Sequence, residues 1–274
     1  MAPVDRFLHG NLAAAVAKAL NVEGPSMTVT NACASGTDAI GIAMSWIKAG
    51  ICDVAIAGGA DELNRVPLAG FNSLGILSPA LCSPFDVNRQ GLNLGEGAGI
   101  VVLEKTSTAH ARGIHSDLFA AGFGTACDAY HLTSPRPDGA FLKAAVERAL
   151  AEAGLAPEEI AFVNAHGTAT PDNDRVEGAV LADVFGRDVV VLSTKGYTGH
   201  TLGAAGGVEA VFSALALRSG WIPLCAGFCE KDPDIPVVPV REQTAIDGVY
   251  AMSTSLAFGG GNSALVIGCD REGR

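Results

Sequence analysis

The sequence predicts an α/β fold with a mostly parallel, buried sheet. Three observations carry that expectation. β-branched runs alternate along the chain with helical stretches, several runs are apolar throughout as strands buried on both faces are, and glycines recur where such runs end. A length of 274 residues, 49% hydrophobic and 17% charged, supplies one large core or two smaller ones.

Residues 11–20, NLAAAVAKAL, are Ala-rich and apolar at helical spacing, and MTVTNA at 27–32 alternates β-branched residues as a strand does. An almost uninterrupted apolar helix is expected over 34–49. CDVAIAGGADE at 52–62, ended by glycines, reads as a buried parallel strand, which completes a strand, helix, strand unit. GIVVLEK at 99–105 and DLFAAGFG at 117–124 read as two strands around a polar turn. In residues 138–160, Leu142, Ala145, Val146, Ala149 and Leu150 share one helix face, Glu147, Arg148 and Glu152 lie off it, and Gly154 and Pro157 stop the helix. AFVNAH at 161–166 and DVVVLSTK at 188–195 read as strands separated by a helix over 174–185. GAAGGVEAVFSALALRSG at 203–220 reads as an apolar helix, and residues 248–268 as two strands around a glycine loop. The polar stretch 107–116 marks a boundary between residues 1–113 and 114–274. Both parts repeat one scheme, a strand leading through a polar residue into a small-residue helix, in VTNACASG and in VLSTKGYTGHTLGAAGG.

A net charge of −11 without any Lys/Arg cluster disfavours a nucleic-acid partner. No apolar stretch reaches membrane-spanning length, and MAPVDRFLHG lacks a charged region followed by an apolar one, so no membrane association and a cytoplasmic location are expected. Seven scattered cysteines, Cys33, Cys52, Cys82, Cys127, Cys225, Cys229 and Cys269, show no CxxC spacing. That argues for a reducing compartment and against a disulfide framework, with most of the thiols inert in the core. The glycine-rich GGGN at 259–262 and GEGAG at 95–99 fit neither nucleotide-loop spacing.

Cys33 is either a small core residue or a nucleophile. At a strand-to-helix turn the backbone N–H donors and the positive dipole end would draw its pKa from about 8.5 toward neutrality, and Ala34, Ser35 and Gly36 leave room for a substrate. Among the histidines, His9, His110, His115 and His131 sit among ordinary helix or loop residues. His166 ends an apolar strand, and His200 enters a helix five residues after Lys195, the places where ligands bind in α/β sheets. A metal site is the competing reading, weakened by the absence of an HxxxH pair or a well-spaced third ligand.

NACASG around Cys33, SPFDVNRQGLNLGEGAGIVVLEK, NAHGTATPDND around His166, STKGYTGHTLGAAGGVEA around Lys195 and His200, and TSLAFGGGN around Phe258 resemble, in this order, the β-ketoacyl-acyl-carrier-protein synthases of the thiolase superfamily. The resemblance covers nearly the whole chain. It implies a layered α-β-α-β-α fold of two similar halves, the first incomplete because members normally carry a further N-terminal third. It also implies that Cys33 is the acylated nucleophile, that His166 and His200 complete the Cys-His-His set of elongating synthases, and that Lys195 supports the histidines. Glu177 and Glu209 would be structural or electrostatic carboxylates, and Thr168 and Thr170 would hold the pantetheine arm. Phe258 would be the gate residue whose N–H, with that of Cys33, forms the oxyanion hole. The implied reaction is decarboxylative condensation of acyl and malonyl thioesters in fatty-acid or polyketide elongation, with acyl carrier protein as partner and no metal or organic cofactor. A homodimer, or a heterodimer with another ketosynthase chain, is expected. The alternatives are a non-catalytic pairing subunit, a coenzyme-A thiolase or acyltransferase, and a secondary-metabolism ketosynthase, the last suggested by NDR at 173–175. The chain departs from the family at Leu256 and Ala257, where phenylalanine and glycine are usual, and at Gly261, where threonine is common.

Overall fold

The computed structural model describes residues 12–270; Asn11, His9 and the opening MAPVDRFLHG lie outside them. Helix α1 (Leu12–Leu20) begins the described chain. A 3-10 turn at Ala32–Ala34 then leads into α2 (Ser35–Lys48), followed by β1 (Val54–Asp61), α3 (Arg65–Ser73), β2 (Gly97–Glu104) and α4 (Thr106–Ala111). Next come β3 (Leu118–Cys127), α5 (Ala140–Ala153), β4 (Ile160–Asn164), α6 (Pro171–Phe185), β5 (Val191–Leu192) and α7 (Lys195–Thr198). A second 3-10 turn, Leu202–Ala204, opens α8 (Ala205–Ser219), and β6 (Trp221–Ile222), β7 (Thr244–Ala245), β8 (Tyr250–Leu256) and β9 (Gly261–Cys269) close the described chain.

Amphipathic spacing fixes α5 as expected. The buried residues of this helix are Leu142, Ala145, Val146, Ala149 and Leu150, and Gly154 ends it in the left-handed conformation at φ 70°. Helix α6 starts three residues earlier than its apolar pattern, because Pro171 fills the first helical position with a preset φ and no N–H to satisfy.

The larger sheet has the order β3-β9-β8-β4-β5 and is mixed, which corrects the mostly parallel sheet. β4 pairs parallel with both β8 and β5, but β8 and β9 are joined by a tight glycine loop that forces them antiparallel, and β3 adds to β9 antiparallel. Burial is as expected in β9, buried along its whole length, and in β8, buried along all but its first residue, whereas the edge strand β3 is mostly half-buried or exposed.

The first part of the chain differs more. CDVAIAGGADE does not give a buried parallel strand: β1 pairs antiparallel with β2 in a two-stranded sheet whose outer face exposes Val54, Ile56, Ile100 and Val102. One face of this sheet packs on α2 and α8, so only half of each strand's side chains are covered. MTVTNA forms no strand, since residues 27–31 make no ladder with any described strand and alternation alone supplies no hydrogen-bond partner. Helix α2 is therefore not framed by two strands. The polar turn after β2 contains α4, and of DVVVLSTK only Val191 and Leu192 are in a strand.

What positions the site is the close crossing of α2 and α8. A Cβ added at Gly36 would lie 2.7 Å from the backbone nitrogen of Gly207 and 2.8 Å from the carbonyl oxygen of Gly203, and one at Gly206 would strike Thr37. Absent side chains thus let the two helix starts touch. Each start is a 3-10 turn whose first residue is a non-glycine at positive φ, Ala32 at 43° and Leu202 at 53°.

Candidate active site

Cys33 is the middle residue of the first 3-10 turn and is buried. His200 lies just before the second, held by its own N–H donating to the Asn93 carbonyl (2.7 Å) and by its carbonyl accepting from Gly95 (3.0 Å). The helix crossing brings His200 Nε2 to 3.1 Å from Cys33 Sγ. His200 Nδ1 is buried without a hydrogen-bond partner among the described residues.

The thiol does not sit near neutrality as the helix start suggested. Burial pushes Cys33 up to about 11, against the opposing pull of the Lys195 charge and of the Phe258 and Cys33 amides. Desolvation of a thiolate outweighs the donors that the turn provides. Burial and the Lys195 charge also hold both imidazoles well below the usual range, with His200 adding to the depression at His166. The resting centre is therefore a neutral thiol beside two neutral imidazoles.

His166 follows β4, and its ring meets that of His200 edge-on at 5.2 Å between centroids. Its Nδ1 lies 3.3 Å from Lys195 Nζ. An ammonium can only donate, so Nδ1 accepts and the proton of this imidazole resides on Nε2. Lys195 opens α7, is 1% exposed, and pairs with the equally buried Glu209 of α8. Glu209 is raised to about 7 by burial, against the attraction of Lys195.

Glu177 on α6 fixes the strand end beneath His166: its carboxylate accepts from the N–H of His166 (2.7 Å), the N–H of Gly167 (2.8 Å) and the Thr254 hydroxyl (2.7 Å). Thr168 and Thr170 bond each other through their hydroxyls at 2.9 Å. Both threonines line a cavity of about 200 Å3 that reaches Cys33, His166 and His200. Phe258 lines this cavity, its ring stacked on Phe71 at 5.6 Å, and its backbone amide is among the groups that draw the Cys33 thiol down against burial. The sequence-derived residues around Cys33 thus converge, although Glu177 and Glu209 act behind the histidines and do not line the cavity.

Cys33, His166 and His200 place one ligand-type atom each within 4.8 Å of one another, which is metal-like spacing. The donor set does not fit a cation. His166 presents an N–H rather than a lone pair, and the buried Lys195 ammonium behind it repels positive charge.

Elsewhere, none of the seven cysteines forms a disulfide among the described residues, and most of them, Cys33, Cys82, Cys225 and Cys269, are buried as expected, while Cys127 and Cys229 are exposed. His110, His115 and His131 are exposed. Asp174 was not singled out for a role, yet it is fully buried and accepts from the N–H groups of Phe85 (2.6 Å) and Ala169 (3.2 Å), clamping the Thr168–Thr170 loop. Burial raises it to about 7. Its signal was a carboxylate in the first turn of a helix directly after a strand end. Phe71 was missed because its partner is 187 positions away in sequence, as the numbering of Phe71 and Phe258 shows.

Comparison with known proteins bears on this geometry. Residues 2–109 match the family model for the N-terminal domain of β-ketoacyl synthases, and residues 119–228 match that for their C-terminal domain. The chain is 40% identical over 259 residues to a 3-oxoacyl-[acyl-carrier-protein] synthase 2 of Staphylococcus aureus, a match covering 90% of this chain and 64% of that one. A β-ketoacyl synthase structure from Burkholderia phymatum superimposes with a TM-score of 0.91 at 38% identity, covering 94% of this chain and 65% of that one. A ketosynthase from Xenorhabdus doucetiae, solved in complex with its chain length factor, gives a TM-score of 0.86 at 35% identity over 97% of this chain and 70% of that one. The chain spans less than two thirds of the length of the curated relatives it matches.

Proposed function

Because this chain belongs to the β-ketoacyl synthase family, we propose that it moves an acyl group from a carrier-protein thioester onto Cys33 and condenses it with malonyl-carrier protein. The observation that carries this reading is the contact of Cys33 Sγ with His200 Nε2 in the cavity, beside a His166 whose Nδ1 faces Lys195 Nζ.

The neutral centre suits both half-reactions. In the first, Cys33 attacks the thioester carbonyl while its proton passes to His200, whose unpartnered Nδ1 leaves the imidazole free to gain and lose that proton. The oxyanion forms against the N–H groups of Cys33 and Phe258, and the carrier thiol leaves with the proton returned by His200. In the second, the malonyl C–C bond breaks, CO2 departs, and negative charge gathers on the thioester oxygen. His166 donates to that enolate through Nε2, and His200 does so once its ring proton sits on Nε2. The enolate carbon then bonds to the acyl carbon, the acyl–sulfur bond breaks, the Cys33 thiolate takes up a proton from solvent, and the carrier holds a chain longer by two carbons.

In this reading Lys195 keeps His166 in the donating tautomer, Glu209 balances the Lys195 charge, and Glu177 fixes the His166 backbone. Thr168 and Thr170 receive the pantetheine arm, and Phe258 gates the acyl cavity. No metal or organic cofactor takes part. The partners are acyl carrier protein and a second ketosynthase chain, identical or of the chain-length-factor type. The division at residues 113 and 114 and a cytoplasmic location belong to the same proposal, the latter supported by seven cysteines that form no disulfide among the described residues. Mass spectrometry of Cys33 after incubation with acyl-carrier protein, then product analysis after malonyl-carrier protein is added, tests it: the expected result is an acyl adduct on Cys33 that malonyl-carrier protein discharges. No adduct on the folded chain refutes the proposal.

A further inference from the structure

Gly261 is glycine for a reason that its backbone does not give. Its φ is not among the positive values, so any residue could adopt its conformation. A Cβ there, however, would lie 2.8 Å from both Oδ1 and Nδ2 of Asn31, far inside contact distance. The Asn31 amide cannot swing aside freely. Its Nδ2 donates to Asp38 at 2.6 Å, and the buried Asp38 also accepts from the Ser263 hydroxyl.

The two residues stand at the bases of the two turns that matter. Asn31 precedes the 3-10 turn of Cys33; its N–H donates to Ser35 Oγ at 2.8 Å and its carbonyl accepts from Ala34 at 3.0 Å. The Gly261 carbonyl accepts from Ala257 at 2.7 Å and so closes the loop that carries Phe258, which is further held by Gly260 N–H donating to the Ala257 carbonyl at 3.0 Å. Asn31 and Gly261 are thus each hydrogen-bonded into the turn that carries one of the two amides, of Cys33 and of Phe258.

We propose that Asn31 is a positioning residue: clamped by Asp38, its amide sets the separation between the Cys33 and Phe258 turns, and hence between the two N–H donors that receive an acyl-transfer oxyanion. This rests on the acyl-transfer reading of the same site. Gly261 is the matching half of the device, since only a residue without a Cβ lets the Phe258 turn seat on the Asn31 amide.

The test compares two reactions of Cys33 in the full chain, each followed by peptide mass mapping. Acylation by an acyl thioester passes through an oxyanion; alkylation by iodoacetamide does not. Gly261→Thr is expected to slow acylation about 100-fold, as loss of an oxyanion donor does, and to leave alkylation within about twofold. Asn31→Ala is expected to slow acylation about tenfold, again with alkylation preserved, and it carries the comparison if Gly261→Thr does not fold. Asn31→Ala combined with Gly261→Thr relieves the collision and should acylate faster than Gly261→Thr alone, a coupling that independent sites do not show. Equal losses in both reactions, or a double variant in which the single losses simply multiply, would overturn the inference alone. A wild-type chain that is alkylated but never acylated overturns the acyl-transfer reading together with it.

Discussion

Replacing Lys195 by methionine removes the ammonium while keeping most of the side-chain volume, and leaves Glu209 buried without its partner. The pair is 1% and 2% exposed, and Glu209 Oε2 already lacks a hydrogen-bond partner. Breaking a buried pair of this kind costs about 3–5 kcal/mol when the remaining charge stays ionised. The cost depends on pH with a sign that the site fixes. Glu209 is raised from its model-compound value of 4.5 to about 7 in the folded protein, so folding already favours its protonated form and stability from this group falls as pH rises from 4.5 to 7. Without Lys195, whose charge pulls Glu209 down, the folded value moves higher still. Below pH 7 both proteins carry the proton and their difference stays nearly constant; above it the wild type ionises against Lys195 while the variant cannot. The stability deficit of Lys195→Met should therefore widen by about 1.4 kcal/mol per pH unit above neutrality. Urea denaturation of both proteins at pH 6, 7, 8 and 9 measures it. A deficit that is flat or shrinks across that range would refute the assignment of Lys195 as the counter-charge of Glu209.

Cys33, raised to about 11 by burial, should alkylate with iodoacetamide at a rate rising about tenfold per pH unit between pH 7 and 10, because the thiolate is a minor species throughout; a plateau below pH 9 would mean that a thiolate is already present at neutrality. Gly36→Ala should lose about 1–3 kcal/mol of stability by overpacking, since the new methyl meets backbone of Gly203 and Gly207 rather than a yielding side chain. It should also slow Cys33 acylation by parting the turns that bring Cys33 to His200; urea denaturation and acyl-adduct mass spectrometry read the two effects, and wild-type values in both would count against the crossing as the element that assembles the site.

How much of this was legible in the sequence follows from which interactions are local. The burial face of α5 and its stop at Gly154 depend on residues three and four apart, and the sequence pattern reproduces them. Strand direction depends on partners that the pattern does not name. Residues 54–61 read as buried and parallel because they are apolar, but their ladder is with residues 97–104 and antiparallel, which leaves one face open. The nucleophile's neighbours were legible only through the motif resemblance. Neither spacing nor periodicity places His200 against a cysteine 167 positions away.

The thiol's protonation shows why motif and chemistry separate. A helix start supplies donors whose effect is visible in sequence, whereas the desolvation that raises Cys33 comes from its burial in the folded chain, and the close approach of α2 and α8 depends on absent side chains at Gly36, Gly206 and Gly207. That crossing brings His200 within 3.1 Å of the buried thiol, where it can take the proton during attack. A larger residue at that crossing would part the thiol from its base whatever the thiol's own pKa, which makes its ionisation a poor guide to its competence.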